Sequence, residues 1–496
     1  MLLQSLTAFV AGALMPLAFA PFSIWPLVLL SPALLIYQLL FIQLPKQAFM
    51  LGWVYGLGYF GFGVSWIYNS LHVFGHAPPL LAAALTGLMI ITLACFTGVA
   101  LYAYKALQQR YRHPLLLWSL PLIWFCAEWL KGWVLTGFPW LSVGYAHIDS
   151  PLAGFAPLIG VYGLSALSIL ISLWLVNWKN TRKAFNPLAI VALGLAGYAL
   201  QWIDWTEPFA EPISITMVQG NIAQELKWRR SERQKIIQTY WDATQQNLTS
   251  DLIVWPEAAI PGRSSDLQQS LLSPLADKMK AGDSHLLTGI LYSEPGQRAY
   301  YNSMLLLGEQ QAVYHKRHLV PFGEYYPFRS VLSFMRSYIR IPMSDMTAGP
   351  ELQPLMQING VKLGVSICYE DVFSRDINLD LPAANVLVNT SNDAWFGDSL
   401  APHQHLQIAQ MRSLETGRPM VRSTNTGQSA FIDHRGQLIQ ATDQFRAQTL
   451  TTHIQGRTGS TPFLLFASLQ PWLALLILLL VLYALIRHRS SRPETV

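Results

Sequence analysis

Charged residues are scarce in this sequence, above all in its first hundred positions. Only 12% of its 496 residues are Asp, Glu, Lys or Arg, about half the share found in typical soluble domains. Lys46 is the sole charged residue before Lys105. Because such a stretch cannot cover a surface that faces water, we exclude a soluble fold for the N-terminal part and predict that it lies within a membrane.

Cysteine is also scarce, with three residues in the whole chain. Cys95 and Cys126 lie in long apolar segments, whereas Cys368 lies in the polar part of the sequence. A fold held together by disulfides is therefore excluded, since Cys368 has no partner within the polar part. An unpaired thiol outside the cytoplasm indicates a reactive role.

Motifs for nucleic acids and metals are missing as well. Lys and Arg number 33 against 28 Asp and Glu, but they form no basic face, so we exclude nucleic-acid binding. His403 and His405 are two positions apart, which does not bring them together on a helix, and no further ligand set accompanies them. The sequence therefore predicts neither a metal ion nor a cofactor.

Apolar segments long enough to cross a bilayer are abundant, and such a segment needs about 20 residues as a helix. No basic residue precedes the first of them, so we expect no cleaved signal peptide, although residues 18–20 resemble a cleavage site. We predict eight spans, at residues 2–20, 24–43, 48–70, 79–104, 114–130, 155–177, 187–204 and 464–486.

Basic residues predict the orientation of these spans. The loops after spans two, four and six carry Lys46, Lys105 and Lys179, and a basic tail follows span eight. Because basic residues gather in cytoplasmic loops, both termini should be cytoplasmic and the polar region extracytoplasmic. We therefore expect a membrane domain of about seven spans at 1–210, a catalytic domain at 211–460, and a last span with its tail at 461–496.

One pair of charges lies inside the predicted membrane part. Glu128 and Lys131 are three positions apart at the outer end of span five, and charges in membrane segments are candidates for function. We interpret them as an ion pair at a helix end. The aromatic-rich loop that follows, 132–145, is expected to form an interfacial belt and part of a lipid-facing entrance.

The sequence pattern changes from Ile213 onward, where short strand-like runs alternate with helical stretches. "ISITMVQ", "DLIV", "LLTGILY", "YNSMLLL", "VKLGVSI" and "NVLVNTS" are typical of strands, and "QSAFIDHRGQLIQ" of a hairpin. Residues 231–248 have helical spacing, and Ser231 with Gln234 resembles a capping box. A second helix should begin near His403. The pattern predicts an α/β domain with mixed sheets.

Three strand-ended segments carry a residue that can do chemistry. Glu257 follows "DLIVWP", Lys316 comes just after the short run "AVY", and Cys368 follows "VKLGVSI". Sites in α/β folds gather beyond the ends of strands. A thiol needs a base or a cation to become a nucleophile at neutral pH, a carboxylate can act as that base, and an ammonium can stabilise an oxyanion. Together they suit acyl transfer through a thioester.

These motifs resemble those of a known superfamily. "IVWPEAAIPG", "YHKRHLVPFGEYYP" and "SICYEDVF" resemble the Glu-Lys-Cys signature of the nitrilase superfamily. "NTSNDAWFG", "PHQHLQIAQMRSLETGRPMVRSTNTG" and "GFPWLSVGY", with the membrane segments, resemble its membrane-embedded branch, the apolipoprotein N-acyltransferases. The resemblance implies a nitrilase-type α-β-β-α sandwich outside a bundle of about eight membrane helices in the bacterial inner membrane, with the catalytic domain in the periplasm.

Residue by residue, the resemblance makes Glu257 the general base, Lys316 the oxyanion-stabilising amine and Cys368 the nucleophile. It also implies supporting or substrate-binding roles for four further residues. Glu324 is a second carboxylate near the site, and Tyr369 and Glu370 flank the nucleophile. Trp228 lies on a substrate-facing arm.

The implied reaction moves the sn-1 acyl chain of a phospholipid, with phosphatidylethanolamine as a favoured donor, to the N-terminal amine of diacylglyceryl-cysteine on apolipoproteins. The enzyme should act as a monomer without a cofactor. Three rival functions are a membrane-tethered amidase acting on small or lipid amides, a multispanning transporter and a non-catalytic scaffold. The apolar segments 299–307 and 328–343 are candidates for an arm that dips into the membrane interface, although core packing is a comparable interpretation of the second.

Overall fold

The computed structural model describes residues 2–111, 114–177, 185–294, 296, 299–325 and 345–490. The chain divides into two units. The first, which we call the helical unit, comprises Met1–Ile67, Leu80–Ile203 and Leu465–Val496. The second, which we call the α/β unit, comprises Tyr68–Pro79 and Asp204–Leu464.

Every predicted span contains helix. The main helices are Leu2–Leu14, Leu27–Leu39, Pro45–Gly63, Pro79–Arg110, Ser119–Lys131, Ala156–Asn177, Phe185–Leu200 and Gln470–Ser490. Within the described residues, Pro79–Arg110 and Pro151–Asn177 are long and apolar enough to cross a membrane, and a third span results if the bent pair Pro45–Gly63 and Ile67–Phe74 counts as one. Apolar helices therefore indicate a membrane protein, and the count of eight spans stays a prediction.

The end of the third predicted span differs from expectation. The helix stops at Gly63, and Tyr68–Pro79 belongs to the α/β unit instead of the helical unit. Within the α/β unit, the Ser70 hydroxyl donates to the backbone oxygen of Trp395 at 2.8 Å, and the Phe74 ring meets the Trp395 ring edge to face. These contacts make the segment a part of the second unit.

The interpretation of Glu128 and Lys131 as an ion pair is corrected. Lys131 Nζ donates to the backbone oxygen of Trp140 at 3.1 Å, and the backbone N–H of Val143 donates to Glu128 Oε1 at 3.0 Å. Residues 139–148 are buried in the helical unit, and buried backbone groups need such partners. Only the first part of the loop, with Leu135 63% exposed, fits the expected interfacial belt.

Among its described residues, the α/β unit contains two large sheets and a small pair of strands. Its strands are β1 Glu207–Pro208, β2 Ile213–Gln219, β3 Leu252–Val254, β4 Ile260–Arg263, β5 His285–Tyr292, β6 Tyr301–Leu307, β7 Ala312–His315, β8 Met356–Ile358, β9 Val361–Ile367, β10 Val386–Ser391, β11 Met420–Thr424, β12 Ala430–Ile432, β13 Leu438–Ala441, β14 Gln448–Ile454 and β15 Arg457–Thr458. One sheet has the order β14-β2-β3-β5-β6-β7 with β4 beside β5, and the other β13-β12-β11-β10-β9-β8. In both sheets the central strands, β2-β3-β5 and β9-β10-β11, run parallel.

The two large sheets pack face to face. Alternate residues of β2, such as Ile215 and Met217, share one buried core with alternate residues of β9, such as Leu363 and Val365. This period of two is what a pleated strand with one inward face produces. The sheets thus form the two inner layers of the unit.

Helices cover the outer faces of the sheets. Arg233–Gln245 and Ser273–Ala281 pack on the seven-stranded sheet, while Ser374–Asn378 and Ala401–Thr416 pack on the six-stranded sheet. The expected α-β-β-α sandwich is therefore confirmed. Shorter helices are Gln224–Lys227, Ser264–Leu267 and Pro462–Phe466.

Several local predictions can be compared with these elements. The hairpin is confirmed as β12 and β13. The helix predicted at 231–248 is Arg233–Gln245, and its N-cap, Glu232, makes no side-chain cap bond, so the capping box is wrong. Residues 301–307 form β6 inside the sheet, which excludes an arm there. The segment 328–343 lies outside the described residues.

Candidate active site

The strands deliver the three predicted catalytic residues from both sheets. Glu257 lies three residues beyond β3 and Lys316 directly after β7, in the seven-stranded sheet, and Cys368 directly after β9, in the six-stranded sheet. Close packing beneath Glu257 needs a glycine on the neighbouring β5, because a Cβ on Gly289 would lie 2.3 Å from the backbone nitrogen of Ala258.

Glu257, Lys316 and Glu324 form one charged cluster. Lys316 Nζ lies 2.9 Å from Glu324 Oε1 and 3.5 Å from Glu257 Oε1. Lys316 is 1% exposed and the two glutamates are 7% and 8% exposed. Val320 N–H also donates to Glu324 Oε2 at 2.8 Å, which fixes the second carboxylate. A buried ammonium between two carboxylates is a strongly coupled arrangement.

The sequence analysis missed Asn302, which joins the two carboxylates. Asn302 Nδ2 donates to Glu257 Oε1 at 2.7 Å and to Glu324 Oε1 at 2.8 Å. The backbone N–H of Asn392 donates to Glu257 Oε2 at 2.8 Å. The available signal was an amide near the start of the strand "YNSMLLL", which is apolar from Met304 onward, since a buried amide needs a partner.

Cys368 begins a tight turn and has a backbone φ of +53°. This left-handed region is uncommon for residues other than glycine and persists where the surroundings enforce it. Asn389 Nδ2 donates to the Cys368 carbonyl at 3.1 Å, and the backbone N–H of Ile367 donates to Glu370 Oε2 at 2.6 Å. These bonds hold the turn on both sides of the thiol.

The electrostatics of the site keep the thiol protonated at rest. Burial raises the pKa of Cys368 well above its usual value, the Glu257 charge raises it further, and Lys316 opposes both. Although burial lowers the pKa of Lys316, Glu324 and Glu257 outweigh it and hold that pKa above its ordinary value. The lysine is therefore a permanent cation, and ionisation of the thiol needs a base.

Glu370 ties the turn of Cys368 to the segment around Lys316. Its carboxylate accepts bonds from the Tyr314 hydroxyl at 3.0 Å, Arg317 N at 2.5 Å and His318 N at 3.1 Å. Burial raises the pKa of Glu370 to about 7, against the opposing effects of Lys316 and the backbone donors. Glu370 therefore connects the two segments of the site, and its carboxylate oxygens accept hydrogen bonds mainly from backbone N–H groups.

Tyr369 and Trp228 lie in apolar surroundings beside the charged cluster. The Tyr369 ring contacts the rings of His318 and Phe373. Trp228 packs against a cluster that includes Leu319 and Met346, and its indole nitrogen is buried without a hydrogen-bond partner among the described residues. The structure thus places aromatic rings from two different segments in the neighbourhood of the site.

A second buried network holds the segment around Cys368, and the sequence analysis missed it as well. Arg422 Nη1 lies 3.2 Å from Asp371 Oδ2, and Arg422 Nη2 lies 3.1 Å from Asp393 Oδ2. Arg422 also donates to Asn389 Oδ1 at 2.6 Å, the amide that holds the Cys368 carbonyl. His405 joins both aspartates, at 2.8 Å and 3.3 Å.

Both ring nitrogens of His405 are therefore occupied by the carboxylates of Asp371 and Asp393. Within the described ranges, no group of three or more His, Cys, Asp or Glu side chains is arranged to hold a metal ion. The chemical capacity of the site is that of a thiol, a carboxylate that can take its proton, and a fixed cation that can stabilise an oxyanion.

Comparison with known proteins gives similarity over nearly the whole chain. The family model "Apolipoprotein N-acyltransferase N-terminal domain" matches residues 11–174, and "Carbon-nitrogen hydrolase" matches residues 214–463. Apolipoprotein N-acyltransferases of Methylococcus capsulatus and Nitrosomonas europaea are each 41% identical to the chain. Each match covers 93% of this chain. It covers 92% of the Methylococcus protein and 93% of the Nitrosomonas protein. That of Vibrio parahaemolyticus is 38% identical, covering 96% of both chains.

Proposed function

The chain belongs to the apolipoprotein N-acyltransferase family, and from that premise we propose that it transfers a fatty acyl chain from a membrane phospholipid to an apolipoprotein. The acceptor is the N-terminal amine of a diacylglyceryl-cysteine, and the transfer completes lipoprotein maturation. The names of the relatives do not favour the alternative of a membrane-tethered amidase.

The first half-reaction forms an acyl-enzyme. Glu257 takes the proton of the Cys368 thiol as the sulfur attacks the ester carbonyl of the donor. Lys316 stabilises the negative charge that develops on the carbonyl oxygen. The C–O bond then breaks, the proton passes from Glu257 to the leaving glycerol oxygen, and lysophospholipid departs while the acyl group stays on sulfur as a thioester.

The second half-reaction releases the acyl group as an amide. The amine of the apolipoprotein attacks the thioester carbonyl, Glu257 accepts a proton from the attacking nitrogen, and the C–S bond breaks. The proton returns to the sulfur of Cys368. Thioesters react with amines more readily than oxygen esters do, so a cysteine suits a transferase whose acceptor is an amine.

One observation supports this assignment above the others, namely the ionic cluster of Glu257, Lys316 and Glu324 beside the Cys368 turn. The thiol has its pKa raised well above its usual value by burial and by Glu257, so a base must act during the attack. Glu257 is the carboxylate whose charge acts on that thiol most strongly. The cluster therefore supplies the base and the cation that acyl transfer requires.

The setting of the reaction follows from its substrates. Both carry acyl chains, and exposing a chain to water costs about 0.8 kcal/mol per CH₂, so the enzyme acts in a membrane. In this proposal it is a monomeric, eight-span protein of the bacterial inner membrane, with both termini in the cytoplasm and its catalytic domain in the periplasm. The distribution of basic residues supports this orientation.

The proposal is tested with purified protein in proteoliposomes. The donor is phosphatidylethanolamine with an alkyne-tagged sn-1 chain, and the acceptor is a synthetic diacylated lipopeptide. We expect the tag on the lipopeptide amine, no transfer by Cys368→Ala, and no ammonia release from small amides. Ammonia release without tagged lipopeptide would replace the transferase with the amidase.

A further inference from the structure

A second buried lysine lies beside the ionic cluster and takes no part in the reaction described above. Lys227 ends the short helical turn Gln224–Lys227 and directly precedes Trp228. It is 1% exposed. Its Nζ donates to the backbone carbonyl of Glu257 at 3.0 Å, so its ammonium reaches the segment that carries the base.

The environment of this ammonium is short of partners. A lysine has three N–H donors, and across the part of the chain that the structure describes Lys227 donates one hydrogen bond, to the neutral Glu257 carbonyl. A buried cation is costly unless a negative charge faces it. Negative charge on Glu257 acts on Lys227, and so does negative charge on the Cys368 sulfur once the thiol is ionised.

We propose that Lys227 is a positioning residue of the active site: its ammonium holds the backbone of Glu257 and provides, together with Lys316, the positive charge that stabilises the Cys368 thiolate as it forms. This inference rests on the proposed role of Cys368 as the nucleophile. The thiolate then has two stabilising cations. Lys316 is held by the carboxylates of Glu257 and Glu324, and Lys227 is held by the backbone carbonyl of Glu257.

Anchoring the turn alone does not explain a lysine at this position. Gln224, at the other end of the turn, already accepts a bond from Asn392 Nδ2 at 2.9 Å, and Asn392 N–H binds Glu257 Oε2. A neutral amide could bind the Glu257 carbonyl without the desolvation cost of an ammonium. The charge of Lys227 therefore has a use beyond the hydrogen bond.

The ionisation of Lys227 offers a readout that a structural role would lack. Burial lowers the pKa of Lys227 to about 8, and the negative charge of Glu257, joined by that of Cys368 when its thiol is ionised, acts in the opposite direction. The amine is thus mostly charged at pH 7 and mostly neutral above pH 9. Lys316, whose pKa is held above its ordinary value, stays charged throughout this range.

The experiment compares Lys227→Gln, which retains a donor for the Glu257 carbonyl without the charge, with Lys227→Met, which loses both. The full-length protein in detergent is treated with iodoacetamide, and alkylation is followed on the Cys368 peptide at pH 7 and pH 9.5. Acyl-enzyme formation from phosphatidylethanolamine is measured in parallel. Lys235→Gln, which removes an exposed lysine, is the matched control.

We expect both Lys227 variants to slow alkylation and acylation at pH 7 by about tenfold, with the gap between wild type and Lys227→Gln closing to roughly twofold at pH 9.5. Wild-type rates in Lys227→Gln at pH 7 would overturn the inference, whether or not Lys227→Met is slow, and so would a gap that is unchanged at pH 9.5. Should Lys227→Met fail to fold, the glutamine variant decides. Acyl-enzyme formation by Cys368→Ala would instead refute the proposed function.

Discussion

Replacing Lys316 by methionine removes the cation between two buried carboxylates. At 3.5 Å and 2.9 Å from the ammonium, each carboxylate interacts with it by about 5 kcal/mol at the effective dielectric constant of about 20 that suits proteins. Desolvation offsets much of this. Breaking one partner out of a buried ion pair costs about 3–5 kcal/mol, and we expect Lys316→Met to lower the free energy of unfolding by that amount.

A double variant separates stability from catalysis. Adding Glu324→Gln removes one of the two carboxylates that the missing cation leaves unpaired, so we expect Lys316→Met/Glu324→Gln to regain roughly 2 kcal/mol. Acyl-enzyme formation should stay at least about 100-fold below wild type in both variants, because the oxyanion has lost its charge partner. The double variant thus folds better and remains inactive.

The assay is urea unfolding in detergent, followed by tryptophan fluorescence, beside mass spectrometry of the acyl-enzyme. Lys280→Met, which removes an exposed lysine, should change stability by less than about 0.5 kcal/mol. If Lys316→Met is as stable as this control, the ionic cluster is not what the distances indicate. If either variant carrying Lys316→Met acylates at the wild-type rate, Lys316 has no part in the chemistry.

Three further predictions concern residues that hold the site. Asn302→Leu removes the donor shared by two carboxylates and should slow acyl-enzyme formation by about tenfold to 100-fold; a wild-type single-turnover rate would contradict this. Arg422→Met leaves Asp371 and Asp393 buried without the guanidinium that faces both of them and should lower the free energy of unfolding by about 3–5 kcal/mol, so an unchanged urea midpoint would refute it. Burial and Arg422 lower the pKa of His405, but the carboxylates of Asp371 and Asp393 raise it above its usual value overall. Its stabilisation is therefore full below the ordinary histidine pKa and lost as the pH rises through the raised value, and equal slopes of melting temperature against pH in wild type and His405→Asn would contradict that.

The strand pattern of the sequence predicted an α/β domain with mixed sheets and the positions of the reactive residues at strand ends for one physical reason, whereas the α-β-β-α sandwich was implied by the resemblance to the nitrilase superfamily. Strand periodicity is local, so "VKLGVSI" already specifies an inward face and an end at Cys368. The same reasoning placed Glu257 and Lys316 at the ends of β3 and β7. The distances between Glu257, Lys316 and Cys368 could not be predicted from the sequence, because they depend on how the two sheets pack against each other.

The residues that sequence reasoning missed act through contacts between distant segments. The role of Asn302 can be inferred only once Glu257 and Glu324 are known to face it, and that of Lys227 only once its ammonium is known to be buried. The helix Ala401–Thr416 is buried on nearly all sides, so its polar residues gave no amphipathic pattern to interpret. Likewise the pairing of Glu128 with a loop backbone is invisible to a rule about helix neighbours.

The central claim is that an acyl group passes through the sulfur of Cys368, and mass spectrometry tests it directly. After exposure to phospholipid, the purified protein should carry one fatty-acyl group on the peptide that contains Cys368, removable by neutral hydroxylamine or by a diacylated lipopeptide. Formation of triacylated lipopeptide by a protein whose Cys368 peptide never carries an acyl group would contradict the account.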